Sequence, residues 1–154
     1  MRIALYQPEI AGNVGAILRL AACMAVPVEI IEPCGFVFDD KRLKRAAMDY
    51  GPLAEMTRHA DWPSFQAFVR DSGARLVLMS SKASASIYRT AFQENDILLM
   101  GSESAGVPDP VRDACDLQTT IPMRPGVRSL NISVATGIAL GEALRQTRHW
   151  SEAV

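Results

Sequence analysis

The sequence predicts an α/β domain, a parallel sheet flanked by helices. Three observations predict it. Arg75–Ser80 and Ile97–Met100 are short, almost uniformly apolar runs, as expected of strands buried on both faces. The first thirty or so residues read strand, helix, strand, which is a βαβ unit and implies parallel pairing. The Ile97–Met100 run then enters a turn bounded by Gly101 and Gly106, and open α/β sheets bind ligands just past the carboxyl ends of their strands.

Taken in order, Ile3–Tyr6 reads as the first strand. Asn13 reads as the N-cap of a helix from Val14 to about Met24, with Val14, Ile17, Leu18, Ala21 and Met24 on one face. Arg19 points away from that face, beside Gly15, Ala16, Ala22 and Cys23. Small neighbours leave room for a ligand or another backbone, although a solvated surface arginine fits the pattern equally well. Val26–Ile31 is the second strand. Asp39 caps a short helix carrying Lys41, Arg42, Lys44 and Arg45, which is either a phosphate-binding patch or an ordinary solvated face.

Glu55–Arg58 is a weak third strand. Asp61 caps the next helix, Pro63 sits in its first turn and Gly73 ends it. Pro108–Ala114 forms a short helix, and Thr119–Met123 a last strand. Arg124 and Arg128 are exposed cations in a rigid loop. Ser129 caps a long helix running to about Arg148. Ser133, Gly137 and Gly141 share a stripe on it. Glycine inside a helix costs about 1 kcal/mol, so the stripe points to close packing, within the chain or against a second copy.

Composition narrows the possibilities. The 154 residues suit one domain with a substantial core, and 49% hydrophobic residues argue against disorder. A net charge of −1 leaves nucleic-acid binding to local patches. Cys23, Cys34 and Cys115 form no C-x-x-C pair, which points to a reducing cytoplasm and away from disulfides or zinc. No signal segment, membrane span or metal-ligand cluster is evident. The Gly101–Gly106 turn is neither a Walker loop nor a hydrolase elbow.

Three stretches stand together: Asn13–Arg19, Leu99–Pro108, and Ile121–Met123 followed by Ser129–Ser133. In order and spacing they resemble the three motifs of the SPOUT-superfamily RNA ribose methyltransferases, SpoU branch. Tyr6–Ile10, Ile31–Pro33, Gly35–Phe36, Asp39–Ala46, Asp49–Tyr50 and Thr57–His59 resemble its minimal subfamily, which 2′-O-methylates the wobble nucleotide of certain leucine tRNAs. The match spans the whole chain, residues 1–154, with no added RNA-binding domain. Gly141 departs from the pattern, standing where the family often has an aromatic.

The resemblance implies a C-terminal deep trefoil knot, a homodimer, and S-adenosyl-L-methionine as methyl donor. It implies cofactor contacts at Met79, Ser80, Gly101, Glu103, Gly106, Ile121, Met123, Ser129 and Leu130. It gives Arg19, Asn131 and Ser133 to catalysis, Arg19 acting in the partner's site. A free guanidinium stays protonated below pH ~12. Arg19 is therefore expected to fix the RNA phosphate and ribose hydroxyl rather than to remove the proton outright. Lys41, Arg42, Lys44, Arg45, Arg124 and Arg128 become tRNA contacts. Methylation of another RNA, such as ribosomal RNA, or a non-catalytic RNA- or nucleotide-binding module are the alternatives.

Overall fold

The computed structural model describes residues 1–37 and 55–147. Six parallel strands form one sheet: β1 (Arg2–Tyr6), β2 (Val28–Ile31), β3 (Met56–His59), β4 (Arg75–Met79), β5 (Asp96–Met100) and β6 (Leu117–Thr119). Their spatial order is β3-β2-β1-β5-β4-β6. From β1 the chain builds outward on one side through β2 and β3. It fills the other side with β5, β4 and β6, so the strand order reverses between β1 and β5.

Among the described residues four α-helices cover the sheet: α1 (Ala11–Cys23), α2 (Trp62–Ser72), α3 (Asp109–Asp113) and α4 (Ile132–Thr147). The two-residue period of the strands splits the core into two layers. Ile3, Leu5, Val28, Ile30, Val77 and Leu98 face α1 and α4, against Val14, Ile17, Ala21, Leu140 and Leu144. Ala4, Ile31, Leu78, Ile97 and Leu99 face the other way, against Phe65 of α2 and Val111 of α3. Both faces of the central strands are covered, which is why their sequences run apolar rather than alternating.

The caps of α2 are as the sequence predicts: Asp61 accepts from the Ser64 N–H at 2.8 Å, and Gly73 closes the helix at φ 62°. Elsewhere the boundaries move. Asn13 caps nothing: α1 starts at Ala11 behind Ile10, which supplies no side-chain cap. Gly15 is buried, not beside Arg19 on the open face, which instead holds Gly12, Ala16 and Cys23. The second strand begins at Val28. β6 lies two residues earlier than expected and stops before Ile121, because Thr120 turns its N–H to the Ala85 carbonyl at 2.8 Å. At α4 the capping group is Asn131, not Ser129: its Oδ1 accepts from the Ser133 N–H at 2.9 Å and Oγ at 2.6 Å. The expected basic helix with Lys41, Arg42, Lys44 and Arg45 lies outside the described residues.

Candidate active site

The turn after β5 is closed by its own backbone. Ser102 N–H donates to the Gly106 carbonyl and Gly106 N–H to the Ser102 carbonyl, both at 2.9 Å. A Cβ on Gly101 would stand 2.6 Å from the Gly106 carbonyl carbon, and Gly106 holds φ +71°, so both ends of the turn require glycine. Three residues, Glu103, Ser104 and Ala105, form its tip.

This turn walls one side of a cleft of about 940 Å³ at the carboxyl ends of β5, β4 and β6. That is within the ~300–1,000 Å³ usual for small-molecule sites. Leu78, Met100, Ile121, Leu130 and Ile132 give it an apolar slot; Ser80, Ser81, Ser102 and Thr120 add hydroxyls; Lys82, Arg112 and Arg128 add cations. An adenosine needs a flat apolar slot with hydroxyls and main chain at its rim, and the lining supplies both.

All nine residues expected to touch cofactor line the cleft: Met79, Ser80, Gly101, Glu103, Gly106, Ile121, Met123, Ser129 and Leu130. So do Asn131 and Arg128. Arg19, Ser133 and Arg124 do not. Arg19 lies exposed on α1.

A polar chain ties the three motif stretches together across this cleft. Glu103 Oε1 accepts from Asn13 Nδ2 at 3.0 Å, and its Oε2 from the Glu9 N–H at 2.8 Å. Asn13 Oδ1 accepts from Asn131 Nδ2 at 3.0 Å, and Asn131 in turn holds Ser133. Both Glu103 oxygens are thus engaged by protein donors. This suits an anchor for the turn better than a base. Sequence reasoning missed Asn13 in this role and missed Arg112 at the cleft; it placed the loop Ser81–Ser86 on the ligand side of the sheet but gave Lys82 no role.

No cysteine lines the cleft. Burial pushes Cys34 up to about 11 and Cys115 up to about 12. Among the described residues no group of His, Cys, Asp and Glu could hold a metal ion, and no helix is long and apolar enough to cross a membrane.

A doubly covered parallel sheet with a ligand-sized cleft at its carboxyl edge, lined by residues of all three motif stretches, is the architecture that the resemblance to the SpoU methylases implies. The chain belongs to that family: the model described as the SpoU rRNA Methylase family matches residues 1–141. Among its relatives is a tRNA (cytidine(34)-2'-O)-methyltransferase of Beijerinckia indica, 49% identical, the match covering 94% of this chain and 90% of the relative. A solved structure described as giving insights into the 2-OH methylation of C/U34 on tRNA superposes with TM-score 0.88. It shares 41% identity, and 94% of each chain is covered. An AdoMet-bound rRNA methyltransferase from Sinorhizobium meliloti superposes with TM-score 0.84 at 27% identity, covering 94% of this chain and 55% of that one.

Proposed function

We propose that this chain transfers a methyl group from S-adenosyl-L-methionine to the ribose 2′-hydroxyl of nucleotide 34, the wobble position, of tRNA, leucine tRNAs being its substrates. It does so as a cytoplasmic homodimer of single, knotted domains. One observation carries the reading: the cleft at the carboxyl ends of β5, β4 and β6 is lined by residues of all three motif stretches, tied by the Glu103–Asn13–Asn131 chain. Relatives and solved structures that share the fold are named for this reaction or hold this cofactor.

The cofactor supplies an electrophilic methyl on a sulfonium. The residues of this chain do the rest. Gly101 and Gly106 let main chain approach the bound molecule. Ile121, Met123, Ser129 and Leu130 would line its slot. Asn131, held by Asn13, fixes the start of α4 at the rim. The nucleophilic hydroxyl must be aligned behind the methyl carbon and lose its proton as the new C–O bond forms. Arg19 is the cation assigned to that hydroxyl and its phosphate. It stands off this protomer's own cleft, which supports its acting in a partner's. Arg124 and Arg128 are the described cations assigned to tRNA.

The test is methyl transfer from labelled cofactor to total tRNA and, separately, to ribosomal RNA, followed by nuclease digestion. Label in a 2′-O-methyl nucleotide at position 34 of leucine tRNAs is expected. Label in ribosomal RNA alone, or cofactor binding without transfer, overturns the substrate or the enzyme reading respectively. Subunit crossing is tested by mixing inactive Arg19→Ala with inactive Gly101→Ala protein. Activity returns in the mixture only if each site draws on two chains.

A further inference from the structure

Glu9 belongs to none of the three motif stretches, yet it grips the tip of the cleft turn. Its Oε2 accepts from the Ser104 N–H at 2.8 Å and its Oε1 from the Ser104 hydroxyl at 2.6 Å. The grip is reciprocal, since Glu103 accepts the Glu9 N–H at 2.8 Å. The two loops therefore exchange carboxylates across the β1/β5 boundary, where the strand order reverses and ligands of open sheets bind.

Glu9 is itself held from behind. Gly35 donates its N–H to the Pro8 carbonyl at 2.9 Å, and its Cα packs so close that an added Cβ would lie 2.9 Å from Glu9 Cα. The side chain is tied to Ser104 and stands outside the cleft: Ile10 and Ser104 line it, Glu9 does not. The Ser104 hydroxyl and N–H hold the Glu9 carboxyl below the usual carboxylate range, so it is ionised at neutral pH.

We propose that Glu9 is a positioning residue for the cofactor: it fixes Ser104, and with it the cleft-facing wall of the Gly101–Gly106 turn, in the bound shape before the cofactor arrives. This rests on the cofactor reading above. Without Glu9 the Ser102–Gly106 closure and the Glu103 anchor remain, but the Ser104 limb is free. Binding must then order that limb, and affinity falls.

The test compares the whole protein with Glu9→Gln, Ser104→Ala and the double variant. S-adenosylmethionine binding is measured by calorimetry without RNA; KM and kcat are measured with tRNA. Glu9→Gln keeps the volume but turns one acceptor into a donor facing Ser104. It is expected to weaken cofactor binding and raise cofactor KM about tenfold, with kcat at saturation within about twofold. The double variant is expected to bind no worse than Glu9→Gln alone, because Ser104 acts through Glu9. Glu9→Asp, which keeps the charge but shortens the reach, shifts affinity in the same direction.

Wild-type affinity in Glu9→Gln overturns the proposal, as do losses that multiply in the double variant. A fall in kcat and thermal stability alongside affinity, in both Glu9 variants, makes the contact merely structural and overturns it too. Failure of the wild-type protein to bind the cofactor overturns the reading underneath instead.

Discussion

At Gly101 the absence of one carbon decides the shape of the cleft. A methyl there meets the Gly106 carbonyl carbon at 2.6 Å and Cα at 2.7 Å, and neither can yield without opening the turn. Gly101→Ala is therefore expected to cost ~1–3 kcal/mol in denaturant unfolding and to remove calorimetric cofactor binding. Both turn glycines are legible in the sequence because a strand runs straight into them. Asn13 is legible only as a helix cap, which it is not. Its partners Glu103 and Asn131 lie 90 and 118 positions away, and no local pattern encodes such a contact. The same limit hid the grip of Glu9 on Ser104.

Elements were legible where burial dictates composition and less so at their ends. Asp96 looks like a loop residue before Ile97, yet it opens β5 fully buried. It is tolerated because Arg75 Nε and Nη2 meet its two oxygens, each at 2.8 Å, and the Gln93 N–H donates at 2.9 Å. Asp96→Ala strands that guanidinium and is expected to cost ~3 kcal/mol, read from urea unfolding. The apolar Ile121 drew the last strand too far along, but β6 needs β4 beside it and pairs only as far as Met79 with Thr119. On α4, hydrogen bonds from Arg145 and Gln146 bring the Glu142 carboxyl down to about 2. Its folded value lies below its unfolded one, so its contribution is present above pH ~4.5 and lost as pH falls towards about 2. The thermal-stability gap between wild-type protein and Glu142→Gln should accordingly stay constant near neutrality and close across that acid window.

For the molecule as a whole, continuous apolar strands and the leading βαβ unit made the parallel sheet readable, and the sheet in turn named the edge that carries the site. The expected knot and dimer rest on the family resemblance alone, because neither leaves a periodic trace in one chain. If the cofactor binds only the folded state, S-adenosylmethionine at 100 times its dissociation constant adds ~2.7 kcal/mol and raises the melting temperature by roughly 5–10 °C. An unchanged melting temperature at that concentration contradicts the assignment of the cleft. Strand direction has a practical side as well. Met1, whose amino group donates to the Glu94 carbonyl just ahead of β5, lies at the sheet's amino edge, while the cleft opens at the other. A tether or bulky label joined there would anchor the protein by its blunt end, leaving the mouth of the cleft turned outward to an incoming nucleic acid.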